Sequence, residues 1–247
     1  MKYVSPVLYA LLLAVSLAAC SPVETPTPTP ETAPPAIDGS LSPGEWDAAR
    51  QETLADGSQL FLLKSGDYLY VGIQANPGQM IAGLDMLVGS VYLYRGDEIA
   101  ILHASAALGT AIYQQTADGW SQTQGFTWYC RDFSDSEEAN AAREAFLDQD
   151  GWVASIGYMG TFNEMEFKIQ LTGEPMRMVV AFQGNPRAKI VWPTGVKDGT
   201  LRFISGNLTD KAYFSPEEWA EVSVNRDGEL ELKVEQTIQV TQPGSAN

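Results

Sequence analysis

Apolar residues in this chain recur at every second position, in one stretch after another, and that period limits the fold more than any other feature. In DYLYVGIQA (67–75), Leu69, Val71 and Ile73 fall on one side, with Tyr68, Tyr70 and Gln74 on the other. Successive side chains of a strand alternate in this way, whereas a helix repeats every 3.6 residues. QLFLLK (59–64) is a second strand, joined to the first through a tight turn at Ser65-Gly66. SVYLYRGDEIAILHA (90–104) holds two alternating runs broken at Gly96-Asp97, and the pattern returns at NEMEFKIQL (163–171) and ELELKVEQTIQV (229–240). No period between 20 and 50 residues repeats, so a solenoid is excluded.

Two short segments depart from the strand pattern. Ser134 and Glu137 have capping-box spacing, and Ala139, Ala142, Phe146 and Leu147 form an apolar stripe before Asp150-Gly151, which predicts a helix over 134–149. At SPEEW (215–219), Ser215, Pro216 and Glu218 predict one helical turn. Many strands between Gly-rich turns, with one inserted helix, predict an all-β fold, an antiparallel β-sandwich.

The chain's start has another character. Lys2, the apolar run Leu8–Leu13 and the small residues before Cys20 read as an export signal, too short to span a membrane as a helix of roughly 20 residues. Leu17-Ala18-Ala19-Cys20 resembles the bacterial lipobox. That resemblance implies cleavage after residue 19, a lipidated Cys20 and attachment to the bilayer at the cell membrane or outer envelope. SPVETPTPTPETAPP (21–35) is too poor in aliphatic residues to form a core. With Cys20 it reads as a stalk over 20–36, extending about 3.1 Å per residue. The sandwich domain is then expected over 37–241, with a flexible tail at 242–247.

A domain of this length buries roughly 70% of its unfolded surface and needs no disulfide framework. Of the two cysteines, lipidation occupies Cys20 and leaves Cys130, as a buried inert thiol or a reactive one. The 15 basic and 31 acidic residues give a net charge of −16. Nucleic acid as a partner and electrostatic attachment to anionic lipid are both disfavoured by that sign, so the anchor must be the lipid.

Residues 34–50, PPAIDGSLSPGEWDAAR, mark the domain's entry, with Asp38-Gly39 as a turn. Ile37-Asp38-Gly39, Leu41 and Glu45-Trp46, followed by the YLYVGI strand, resemble the opening of family 9 carbohydrate-binding modules and DOMON-like sandwiches. MEFKIQL (165–171) is similar to that group's late E-x-x-I-P-L strand, with Gln170 in place of the proline. Residues 105–151 carry no such likeness. The resemblance implies a sandwich and a ligand-binding role, for sugar in some members and haem in others. Trp46 is read as packing with Leu41 at the end of the core, the alternative being a ligand platform.

Chemistry-bearing residues are few. The single histidine, His103, excludes a multi-histidine zinc site and shares a strand face with Ile99 and Ile101, as an inward residue would. Haem, implied by some DOMON-like domains, would use His103 with Met80 or Met86, whereas Met165, Met176 and Met178 sit at core positions. Asp132, Asp135, Glu137 and Glu138 cluster at the helix start, where charge suits the dipole; a calcium site there lacks EF-hand spacing. No two carboxylates stand out as a glycosidase pair.

Aromatics carry the sharper functional expectation. GWSQTQGFTWYC (119–130) sets Trp120, Trp128 and Tyr129 among amides and hydroxyls, with Trp152 after the helix and Trp192 in IVWPTG. Exposed rings of this kind stack on sugars, while the same alternation also describes a strand face turned to the core. The expectation is a non-catalytic domain binding carbohydrate or a similar small polar ligand through Trp120, Trp128, Tyr129, Trp152 and Trp192, with no cofactor. A haem-binding accessory domain, or a structural lipoprotein without small ligand, are the alternatives.

Overall fold

The computed structural model describes residues 33–76, 89–104, 109–126, 136–156, 163–183, 189–197 and 210–234. The chain divides into two units, Met1–Thr32 and Ala33–Asn247, and every described residue belongs to the second. Its strands are β1 (Arg50–Thr53), β2 (Gln59–Ser65), β3 (Tyr68–Gln74), β4 (Ser90–Arg95), β5 (Glu98–His103), β6 (Thr110–Thr116) and β7 (Gly119–Gln124). After helix α1 (Glu137–Asp148) come β8 (Trp152–Ile156), β9 (Glu164–Gln170), β10 (Met176–Gln183), β11 (Lys189–Trp192), β12 (Lys211–Ala212), β13 (Ala220–Val224) and β14 (Leu230–Lys233). They form two antiparallel sheets. The five-stranded one runs β1-β2-β3-β9-β8; the nine-stranded one runs β12-β7-β6-β5-β4-β10-β13-β14, with β11 also on β10. The fold is an all-β sandwich with one short helix, as the alternation predicts.

Two of the two-residue hairpins, β2–β3 and β4–β5, turn on a Gly-Asp pair. Ser65 pairs with Tyr68 and Arg95 with Glu98, so the first turn is Gly66-Asp67, one residue later than the sequence indicated, and the second is Gly96-Asp97 as expected. Gly66 and Gly96 take φ of 55° and 67°, open to glycine at no steric cost.

The helix also starts later than expected. Its N-cap is Ser136, whose hydroxyl accepts from the Ala139 N–H at 3.2 Å; Ser134 lies outside the described residues. Ala142 faces solvent, and the buried stripe is Ala139, Arg143 and Leu147, the i, i+4, i+8 series of that register. At 215–219 a single 3-10 turn forms over Pro216–Glu218, without a side-chain cap from Ser215.

Apolar residues fill two separate clusters. Between the sheets, Leu60, Leu62, Leu69, Val71 and Ile73 meet Val91, Leu93, Met178, Val180 and Phe182, with Met165, Phe167 and Ile169 from β9. A second cluster covers the opposite face of the nine-stranded sheet, where Tyr92, Tyr113 and Trp120 pack with Phe214 and Trp219 from the stretch after β12. That sheet is therefore buried on both faces, which is why β10, MRMVVAFQ, runs apolar without alternating.

Candidate functional site

The expected aromatic platform resolves into packing wherever it is described. Trp120 is 5% exposed, in the outer cluster; Trp152 and Trp192, at 1% and 4%, belong to the inner core. These three tryptophans form no exposed platform, because the sheet beneath Trp120 is covered and the other two lie between the sheets. Trp128 and Tyr129 lie outside the described residues, as do Cys20, Cys130, Met80, Met86, Asp132 and Asp135. His103 is buried, with its ring 5.4 Å from Phe126 on the outer-cluster side of β5, and Met165, Met176 and Met178 are core residues. Among the described residues no group of three or more His, Cys, Asp or Glu is placed to hold a metal.

Trp46 is buried too, in a different place from the one expected. It lies over the outer face of the five-stranded sheet, 5.9 Å from Phe61, and the space beneath it is Gly72, where a Cβ would come within 3.1 Å of the indole and 3.0 Å of Leu41. Beside it stands Glu166, fully buried and paired across the sheet with Gly72. The Glu166 carboxylate accepts from the backbone N–H of Gly39 at 2.8 Å and of Asp38 at 3.1 Å, and from Trp46 Nε1 at 3.2 Å. Burial pushes this carboxyl up to about 8, with the Asp38 charge adding to the rise, against the pull of those three donors. Glu164 extends the attachment, accepting from Leu41 N–H at 3.2 Å and from the Gln74 amide at 2.9 Å. The Asp-Gly…Trp entry segment is thus a strap buckled onto β9.

A different place has room for a ligand. On the inner face of β4, β5 and β6, next to the edge strand β8, a partly open pocket of about 130 Å³ lies between the sheets. Its apolar wall is Leu93, Ala100, Leu102, Ile112 and Ile169, beside Trp152. Its polar groups are Arg95, Glu98, Thr110 and Asp150. Arg95 and Glu98 flank the Gly96-Asp97 turn, which aims both side chains at the same face, and Asp150 comes from the turn between α1 and β8. The Thr110 hydroxyl accepts from Trp152 Nε1 at 2.8 Å and donates to Asp150 Oδ2 at 2.6 Å, fixing the indole and one carboxylate oxygen together. Arg95 Nη2 donates to the Gln170 carbonyl at 3.0 Å and reaches Met176 Sδ at 3.8 Å; Gln114 Nε2 donates to Glu98 Oε2 at 2.8 Å. Burial lowers the Arg95 pKa from its ordinary value, with the Glu98 charge opposing that shift.

Of the residues expected to bind ligand, only Trp152 lines this pocket. In the sequence Arg95, Glu98 and Asp150 stand out only as turn and strand residues, and Thr110 falls in a stretch to which the pattern assigns no element. The available signal was parity: counted from Val91 and Leu93, Arg95 continues the inward series of β4, so its charge faces the core. No family model, curated protein or solved structure matches the chain.

Proposed function

We propose that the chain is an exported, lipid-anchored binding protein whose sandwich takes up a small polar ligand, carbohydrate in class, without turning it over. The observation that carries this reading is the convergence of Arg95, Glu98, Thr110 and Asp150 on one pocket with an aliphatic wall and a fixed indole. Small-ligand sites pair a largely apolar lining with a few placed polar groups in this manner. A cavity of about 150 Å³ takes a benzene ring, whereas drug-sized ligands occupy roughly 300 Å³ or more. The pocket's volume of about 130 Å³ falls just below the first figure, so the pocket, being partly open, suits the edge of one ring or the end of a longer chain and not a fully enclosed ring. The Leu17-Ala18-Ala19-Cys20 segment and the Pro/Thr-rich stretch support tethering at an envelope surface, where a domain held on a stalk meets dilute solutes.

The test is titration of monosaccharides and short glycans into the full chain and into Ala100→Leu, which fills the pocket from β5. Binding to the parent chain, lost in the variant while the melting temperature is kept, is the expected result. Equal binding by both would move the site elsewhere. Hydrolysis of nitrophenyl glycosides by the parent chain would overturn the non-catalytic reading. Fatty-acid labelling abolished by Cys20→Ala is the expected result for the anchor; unchanged labelling would remove it.

A further inference from the structure

The lining of the pocket sorts by depth. Leu93, Leu102, Trp152 and Ile169 are buried, whereas Asp150 is exposed and Glu98 half-buried, so the carboxylates stand toward solvent and the apolar side chains toward the core. Each carboxylate has one oxygen engaged: Glu98 Oε2 accepts from the Gln114 amide, and Asp150 Oδ2 from the Thr110 hydroxyl. Glu98 Oε1 and Asp150 Oδ1 take part in no hydrogen bond or salt bridge among the described residues. Arg95 is the one cation among the described lining residues. Its Nε is buried, and its Nη2 is bound to the Gln170 carbonyl and the Met176 sulfur, neither of which lines the pocket. Two carboxylates against one guanidinium leave the lining with an excess of negative charge and two vacant acceptors at its outer side.

We infer that this pocket takes a saccharide through a protonated amino group, selecting an amino sugar over the same sugar with a hydroxyl or a carboxylate in that place. This rests on the reading of the pocket as the ligand site. An ammonium has three N–H donors and no acceptor, and Glu98 Oε1 and Asp150 Oδ1 only accept. Its charge makes those bonds stronger than a hydroxyl's, and the excess negative charge of the lining adds to the preference. A hydroxyl in the same place still donates, with one hydrogen and no charge. A carboxylate donates nothing and stands against Glu98 and Asp150, so it is the group the pocket rejects. Because the pocket is partly open, an ammonium on its outer side keeps part of its water, which limits the desolvation cost that a buried charge incurs. The carbon edge of the ring meanwhile lies against the aliphatic wall. Glu98 and Asp150 are specificity residues in this account, and Thr110 is a positioning residue that fixes Asp150 and the Trp152 indole together.

The experiment titrates the full chain at neutral pH with the methyl glycosides of glucose, galactose and mannose, each as the neutral sugar, the 2-amino and 6-amino sugars and the 6-carboxylate. The expected result is that an amino sugar binds tightest, about tenfold over its neutral parent, the size of one hydrogen bond to a charged group, with the 6-carboxylate weakest. Glu98→Gln and Asp150→Asn keep an acceptor for Gln114 and Thr110, and each should narrow the amino-over-neutral ratio by about threefold while leaving the neutral sugar's affinity unchanged. Thermal unfolding checks that each variant folds; if Glu98→Gln does not, the Asp150→Asn arm decides alone. Asp97→Asn is the control, because Asp97 sits in the same hairpin turn but outside the lining. A ratio that falls as far in Asp97→Asn belongs to the chain's overall charge of −16 and overturns the inference. A neutral or acidic sugar binding tightest, or a ratio unmoved by either pocket variant, also overturns it, and leaves the pocket reading standing where Ala100→Leu still abolishes binding. No binding by any member of the panel overturns both.

Discussion

Two segments cover the outer faces of the two sheets, and they do it with opposite chemistry. On the nine-stranded sheet, the stretch after β12 lays Phe214 and Trp219 onto Tyr92, Tyr113 and Trp120, edge to face at centroid distances of 5.1 to 6.3 Å. Trp219 Nε1 has no hydrogen-bond partner among the described residues, so this covering is held by area and ring geometry. On the five-stranded sheet, residues 37–46 are fastened by the buried Glu166 carboxylate, and there Trp46 Nε1 does find an acceptor. A single crossing segment lacks the area of a whole sheet. One solution uses the largest side chains available; the other uses directed hydrogen bonds to a charge-bearing group. Only the second is fastened by a carboxyl, so the two should separate under pH.

The largest expected effect follows from the proton of that carboxyl. The Glu166 carboxyl sits at about 8 in the folded chain against an ordinary value of 4.5. Between those values the native state binds more protons than the unfolded one, so this contribution is fully present below about pH 4.5 and is lost as pH rises through about 8. A shift of that size corresponds to about 5 kcal/mol at full ionisation. Urea unfolding of the parent chain between pH 5 and 9 should therefore show stability falling with pH. Glu166→Gln, which mimics the protonated acid, should flatten that slope, costing about 1 kcal/mol at low pH and approaching or exceeding the parent at high pH. Parallel curves for the two proteins would show that Glu166 does not titrate in this range.

Trp219→Ala is next in size. A fully buried tryptophan truncated to alanine costs about 3–5 kcal/mol, and Trp219 is 1% exposed. The expected outcome is a downward displacement of the whole stability curve that leaves its pH slope intact. A changed slope would mean that the two coverings are coupled through the sandwich and would break the comparison.

The sequence disclosed a strand where the residues of its two faces differ in chemistry. β2, β3 and β9 alternate because the inner core takes every second residue, β4 and β5 alternate between the inner core and the outer cluster although both of their faces are buried, and the β2–β3 and β4–β5 turns carry Gly-Asp. β10 shows no alternation because neither of its faces meets water, so that only Met176 and Met178 stood out as core positions, and β6 and β7 are obscured because TAIYQQT and GWSQTQ carry amides at half-buried and exposed positions beside few buried ones. The same second covering explains Trp120: polar neighbours made it look like a surface residue, when Ser121 and Thr123 mark only the strand's other face. Glu166 was visible in MEFKIQL as one of the polar residues opposite Met165 and Phe167. Its burial was not, since it depends on a strap 127 residues earlier in the chain. The pocket was hidden because Arg95 and Glu98 had a sufficient local explanation as the shoulders of a hairpin.

Glycines beneath the two coverings sharpen the contrast at smaller scale. Gly119, at the start of β7, has φ +116°, and a Cβ there would lie 3.2 Å from the Ala212 carbonyl oxygen and 3.4 Å from the Tyr213 ring. Gly119→Ala combines a backbone conformation that side chains disfavour with contact against a rigid backbone atom, so a loss of roughly 1–3 kcal/mol is expected. Denaturant midpoints measure it. Because Tyr213 is 69% exposed, its ring has solvent to move into, and the residual strain should come from the carbonyl.

Gly72→Ala should be the mildest. Gly72 lies within β3, in a conformation open to any residue, and its neighbours are side chains: Leu41 Cδ2 at 3.0 Å and the Trp46 indole at 3.1 Å from an added Cβ. Those atoms need to retreat by only a few tenths of an ångström. Trp46, however, is tethered through Nε1 to Glu166, so lifting the ring stretches that 3.2 Å bond. A cost of about 1 kcal/mol is expected from the overpacking, smaller than at Gly119 because no backbone atom stands in the way. It should also be conditional: in the Glu166→Gln background the indole has a weaker attachment to lose, and the two substitutions together should cost less than the sum of each alone. A double-mutant cycle on denaturant midpoints measures the difference. Strict additivity would mean that Trp46 is held by packing on Phe61 and Leu41 alone, and the strap would then differ from the aromatic covering in degree and not in kind.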